Sequence, residues 1–122
     1  MARLATADAS GAPHAVPVCF ALVDNRIYVA IDEKTKRVGP LRLRRVRNVL
    51  SNPAVALVAD VYDADWSTLA GVLARGRAEV LEGGHEHRLA VRLLREKYPQ
   101  YASMALEQRP IIAMEIEAAI SW

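Results

Sequence analysis

The sequence predicts a mainly β fold of the α+β type, in which six antiparallel strands close into a small barrel carrying two to three short helices. Three observations lead there. Six segments have apolar residues at period two. The early segments are joined by short stretches of turn-forming residues, which is how antiparallel neighbours connect. Two other segments follow the helical period and each stops at a proline.

The elements follow in order. Residues 3–7 form a short strand, and the turn formers of Asp8-Ala-Ser-Gly-Ala-Pro13 end it. Residues 14–23 form a second strand, apolar on both alternating faces. Val16, Val18, Phe20 and Leu22 lie on one face and Ala15, Cys19, Ala21 and Val23 on the other. A strand of this kind belongs in a closed barrel or at a subunit interface. Pro17 cannot donate a ladder hydrogen bond, so it marks an edge, a bulge or a place where something approaches the backbone. Asp24-Asn25 is a hairpin turn, with Asn suited to positive φ, and residues 26–31 are the returning strand. Gly39-Pro40 opens a helix whose apolar face is Leu43, Val46 and Leu50, and Asn52-Pro53 stops it. Residues 54–62 are a strand, followed by the acidic loop Asp63-Ala-Asp-Trp-Ser67. Residues 68–81 are a long strand that Gly76 bends. After Gly83-Gly84, residues 85–98 form a helix with Leu89, Leu93 and Leu94 inward, ended by Pro99. A helical turn covers residues 101–108, and residues 111–122 are the last strand. Both helices are expected to plug the barrel.

The 122 residues make one domain, residues 1–122. Apolar residues at 52% and charged residues at 25% fit a soluble globular chain. No apolar run approaches the roughly 20 residues needed to cross a bilayer, and residues 1–6 lack a signal-peptide core. The single cysteine rules out an intramolecular disulfide. These features point to a cytoplasmic protein. The net charge of +2 conceals an asymmetry. Lys34, Lys36, Arg37, Arg42, Arg44, Arg45 and Arg47 put +7 into residues 34–47, and the rest of the chain carries −5. Such a segment on a mildly acidic body suggests a localised anion site. Arg42 and Arg45 are equally readable as a solvated helix face. Lys34, Thr35, Lys36 and Arg37, between a strand and a helix start, match a phosphate-binding arrangement of backbone N–H groups and cations.

No GxGxxG, P-loop or GxSxG motif occurs. His85 and His87, two apart on a helix, point to different sides and make a poor metal pair, so they read as a solvated helix start and no metal is expected. Cys19 reads as a small buried hydrophobe. A nucleic-acid module built on the basic helix is disfavoured. None of the seven aromatic residues lies between residues 29 and 61, which leaves only phosphate contacts.

The ordered segments Arg3-Leu-Ala-Thr-Ala-Asp8, Gly11-Ala-Pro-His-Ala-Val-Pro-Val18, Asp24-Asn-Arg-Ile-Tyr-Val-Ala30 and Lys36-Arg37 carry a resemblance. It continues through Arg47-Asn48, Asn52-Pro-Ala-Val-Ala-Leu57, Asp63-Ala-Asp-Trp66, Arg75-Gly-Arg-Ala-Glu79 and Lys97-Tyr-Pro99. Taken together they resemble the pyridoxamine 5′-phosphate oxidase-like superfamily of FMN-binding split barrels, and most of all its actinobacterial branch using the deazaflavin coenzyme F420. The resemblance implies a homodimer with two cofactor sites at the subunit interface. It places Val16, Pro17 and Val18 along the tricyclic ring, and Val29, Ala30 and Ile31 near the ring or ribityl chain. Lys36 and Arg37 fall at the phosphate pair, with Lys34 and Thr35 as helpers. Trp66 and strand residues near Arg75 come from the partner.

The implied function is an F420-dependent oxidoreductase passing hydride to or from a small organic substrate. The alternatives are FMN as cofactor, or a cofactor-binding protein without turnover. The cofactor carries the hard chemistry in such a site, so no catalytic side chain is singled out. Tyr62, His14 or bound water could supply a proton.

Overall fold

The computed structural model describes residues 1–32 and 42–122. Seven antiparallel strands form one sheet: β1 (Ala2–Ala7), β2 (Pro13–Val18), β3 (Phe20–Val23), β4 (Arg26–Ala30), β5 (Ala54–Val61), β6 (Ala70–Leu81) and β7 (Ile111–Ser121). Their order across the sheet is β2-β1-β5-β6-β7-β4-β3. The two edge strands are therefore consecutive in the chain. The sheet must curl until its edges meet at Cys19, the single residue between them, and that curl makes a split barrel.

This corrects the expected count of six. The strand foreseen over residues 14–23 exists as two pieces, because pairing changes partner within it. Up to Val18 it pairs with β1, with Pro17 opposite Arg3. From Phe20 it pairs with β4. Pro17 lies in an edge strand, where its missing N–H leaves no ladder bond unmade. The β3–β4 turn is where expected, although its positive φ belongs to Asp24 (53°).

Two helices complete the fold, and only one enters the barrel. α1 (Arg44–Ser51) sends Val46 and Val49 into the interior, among Leu4, Val29, Ile31, Leu57, Ile112 and Met114. Arg45 and Asn48 are buried beside Val46 and Val49, whereas Leu50, expected on the apolar face, is 63% exposed, which corrects that expectation. Buried Asn48 donates from Nδ2 to buried Thr6 Oγ1 at 3.0 Å and ties α1 to β1. The chain leaves the helix at Asn52-Pro53 as predicted. α2 (His85–Lys97) lies outside the barrel. With Tyr101 and Leu106 from the 3₁₀ turns that follow, its Ala90, Val91 and Leu94 cover Ala21, Tyr28, Ala30, Ile111 and Ala113. β4 is therefore buried on both faces.

The bend foreseen at Gly76 is present as a bulge. Arg75 pairs with Ala118 and Gly76 with Ile116, so β7 contributes the extra residue Glu117. Only glycine fits there. A Cβ at position 76 would lie 2.9 Å from the carbonyl carbon of Glu115 and 3.2 Å from Ile116 Cα, closer still to the Glu115 oxygen.

Candidate functional site

Alternation along the strands sorts their residues onto two faces. The inner face of β2-β1-β5-β6-β7 packs on α1. Among the described residues no helix covers the outer face of β2, β1, β5, β6 and the later half of β7, since α2 packs on β3, β4 and the Ile111 and Ala113 end of β7. Two rows of paired residues cross that open face. Ala15, Ala5, Ala56, Arg75 and Ala118 make one row. Pro17, Arg3, Val58, Leu73 and Ile120 make the next. Ala5, Ala15, Ala118, Pro17 and Ile120 are exposed. Eight of these ten residues are small or apolar, with Arg3 and Arg75 among them, and contiguous exposed apolar patches mark interaction sites in general. The alanines were not singled out in the sequence. Their signal is alternation of Ala with larger apolar residues, which hydropathy barely registers.

A second feature is the start of α1. Leu43 occupies the cap position and offers no side-chain hydrogen bond, and no acid occurs in the first turn. Arg44, Arg45 and Arg47 stand there instead, with exposed Arg42 just before them. Cations at the positive pole of a helix each cost about 0.3–1 kcal/mol, and unpaired N–H groups at that pole favour an anion. α2 shows the opposite and ordinary pattern, with Glu86 in its first turn and Arg95 and Lys97 in its last. Arg44 and Arg47 line a hollow with Asp8, Asn48, Leu50 and Ser51. Asp8 is held below the ordinary carboxylate value, first by the Ser10 hydroxyl, then by the Ala12 N–H. Arg45 turns inward and is 5% exposed, so it is not part of a solvated face.

The residues expected along a cofactor distribute unevenly. Pro17 and Arg75 share the open outer face, three strands apart, or roughly 14 Å at the usual strand spacing. Val16 and Val18 point inward, Val18 fully buried. Val29 and Ile31 belong to the barrel core and Ala30 to the layer under α2, so their side chains are committed to packing. Trp66 stands 79% exposed on the β5–β6 connection, a loop shaped by Asp65, which accepts from Ser67 N and Oγ. Those bonds hold Asp65 below its ordinary value. Lys34, Thr35, Lys36 and Arg37, with the Gly39-Pro40 helix start, lie outside the described residues.

The chain leaving β4 toward that basic segment is fastened on the outside, which sequence reasoning missed. Tyr101 donates to Asp32 at 2.5 Å, and Arg109 donates to the Ile31 carbonyl at 3.2 Å. Burial, and then the bond to Asp32, pushes the Tyr101 phenol well above its ordinary value. His87 is 2% exposed with Nε2 2.6 Å from the Arg109 carbonyl, so it is a core group and not part of a solvated helix start. Half-buried Cys19 lies in the same layer. Among the described residues no cluster of His, Cys, Asp and Glu could hold a metal. No described helix is long and apolar enough to cross a membrane.

Seven antiparallel strands curled around one helix, with a second helix outside, make a split barrel. The family model described as pyridoxamine 5′-phosphate oxidase matches residues 1–122, and the chain belongs to that family. It is 40% identical over 88 residues to a 5a,11a-dehydrotetracycline/5a,11a-dehydrooxytetracycline reductase of Streptomyces rimosus, a match that takes in 70% of this chain and 59% of the relative. Similar folds occur in a conserved hypothetical protein from Mycobacterium tuberculosis (TM-score 0.79, 22% identity, 99% of this chain and 75% of that one). They also occur in a FAD-binding protein from Mesorhizobium loti (TM-score 0.71, 23% identity, 98% and 83%) and a heme storage protein from Vibrio cholerae (TM-score 0.76, 17% identity, 98% and 83%).

Proposed function

We propose that this chain is an oxidoreductase that works as a homodimer on a phosphorylated flavin-type cofactor, coenzyme F420, and reduces or oxidises a small organic substrate; FMN is the alternative cofactor. The observation that carries the reading is the α1 start, where arginines stand in place of a cap. An anionic group there would satisfy the helix N–H groups and offset the crowding of positive charge. Arg44 and Arg47 from α1, with Lys34, Thr35, Lys36 and Arg37 before it, form the donor set for the phosphate. The extra cations favour F420 over FMN, because the deazaflavin carries a longer acidic tail. The reductase name of the Streptomyces relative favours redox chemistry in the same direction.

When bound, the cofactor supplies the hydride. The chain's residues bind, orient and exclude water. Pro17 and its neighbours on β2 give the ring an edge strand with no further strand beyond it among the described residues. Arg75 is three strands from Pro17 on one chain, and two copies meeting at the alanine face would bring one chain's Arg75, with Trp66, toward the other's β2. Small side chains allow that approach. The expected location is the cytoplasm.

Titration of the purified protein with F420 and with FMN, followed by cofactor fluorescence, tests the reading. Saturable binding is expected, tighter for F420. Lys36→Ala and Arg37→Ala should each weaken it about tenfold or more, the loss of a charged hydrogen bond. Wild-type affinity in both variants would move the phosphate elsewhere, and no saturation with either compound would end the proposal.

A further inference from the structure

A groove of about 500 Å³ opens at one end of the barrel, lined by Met1, Phe20, Ala59, Val61, Val72 and Trp122, with Lys97 and Asp60 at its margin. That volume is in the range of small-molecule sites. Its floor is flat for a structural reason. Ala59 pairs with Val72 and Val61 with Ala70, so these four side chains lie on one strand face beyond the reach of α1. The Trp122 ring lies against Gly71, where any Cβ would collide with it: three of its atoms would fall within 2.8 Å. Val61, Val72 and Trp122 are each more than two-fifths exposed, so a substantial apolar surface faces water.

The polar groups are one-sided. Asp60 is engaged by Arg3 at 3.3 Å. Lys97 Nζ donates to the Phe20 carbonyl at 2.7 Å and sits 3.8 Å from the Phe20 ring centroid. Tyr98, whose hydroxyl is 3.2 Å from both the Phe20 N–H and carbonyl groups, fixes that residue. Among the described residues Lys97 has no carboxylate partner. Its ammonium is thus held in place at the edge of an apolar slot with further N–H donors to give.

We infer that this groove seats a flat, apolar organic molecule bearing an anionic oxygen, its rings over Val61, Val72 and Trp122 and its oxygen on Lys97. That the molecule is the redox substrate rests on the proposed function; that it binds does not. The occupant follows from charge complementarity: a cation fixed by the Phe20 carbonyl, without a carboxylate partner among the described residues, beside an apolar wall.

The test uses the cofactor-free protein with anthracene-9-carboxylate as probe. Trp66→Phe leaves Trp122 as the sole tryptophan, and the probe should quench it saturably. Lys97→Met should weaken the carboxylate about tenfold or more while leaving 9-anthracenemethanol unchanged, and Lys97→Arg should restore most of the affinity. Val72→Trp, which fills the slot, should abolish binding of both compounds. Equal carboxylate affinity in Lys97→Met, or parallel loss of the neutral alcohol, overturns the inference. So does absence of quenching in a protein that sediments as a dimer, which would mean a second copy covers the groove. Probe binding by a protein that takes up neither F420 nor FMN would leave this site standing and remove the proposed function alone.

Discussion

Gly76→Ala offers a stringent test of how β6 and β7 meet. The added methyl group would encounter three backbone atoms of β7: the Glu115 carbonyl carbon at 2.9 Å, Ile116 Cα at 3.2 Å and the Glu115 oxygen nearer than either. Backbone cannot rotate aside as a side chain can, so β7 must shift or the bulge must dissolve. Overpacking alone costs roughly 1–3 kcal/mol, and each ladder hydrogen bond lost with the bulge adds about 1 kcal/mol. The expected loss is about 3 kcal/mol or more, a large share of the roughly 5–15 kcal/mol that holds a domain together. At about 3–4 °C per kcal/mol for a chain of this size, the midpoint should fall by about 10 °C. Gly83→Ala is the matched control, since a Cβ there meets nothing within 4 Å. Urea and thermal unfolding of both variants give the comparison. A Gly76→Ala protein within about 0.5 kcal/mol of wild type, indistinguishable from the control, would refute the close approach of the two strands.

Thr6→Val strands buried Asn48 Nδ2 without its partner. It should cost about 1–3 kcal/mol in urea unfolding, and no change would mean that α1 is not anchored there. Glu107 is held at about 2, against an ordinary 4.5, by its ion pair with Arg95. A depressed carboxylate stabilises the fold above its unfolded value and loses that contribution as pH falls toward the folded one. Unfolding midpoints should therefore decline between about pH 4.5 and 2, less steeply in Glu107→Gln, and identical slopes in the two proteins would contradict the pairing. Arg44→Glu should lower affinity for F420 by about tenfold or more while raising thermal stability slightly, because it supplies the acid that α1 lacks in its first turn. A drop in both would show that the arginine serves the fold.

Much of the architecture was legible in the sequence because its signals are local. Asn52-Pro53 and Pro99 end helices, and Gly76 marks the bulge. What stayed hidden depends on the whole sheet. The break at Cys19 cannot be read from residues 14–23, all of which suit a strand; it follows from a change of partner from β1 to β4. Leu50 looked like a core position because it lies on the helical stripe with Leu43 and Val46. α1 instead faces the barrel through Val46 and Val49, with buried Arg45 and Asn48 beside them, the Asn48 amide bonding Thr6. His87 looked solvated because its carbonyl partner, Arg109, is 22 residues away. Within the candidate site, Pro17 carried its own signal. The alanine face carried only a faint one, the alternation of Ala with larger apolar residues, and the Tyr101–Asp32 fastening carried none, since it arises only when β4 and the 3₁₀ turns are brought together.

The central claim is that two copies meet at the helix-free face and hold a flavin-type cofactor between them. Sedimentation of the purified chain with F420, recorded at the cofactor's visible absorbance, tests both halves in one measurement. The account predicts cofactor absorbance travelling with a species of twice the 13.4 kDa chain mass, one cofactor per chain. Absorbance that stays with free cofactor, or that travels with a single chain, would contradict it.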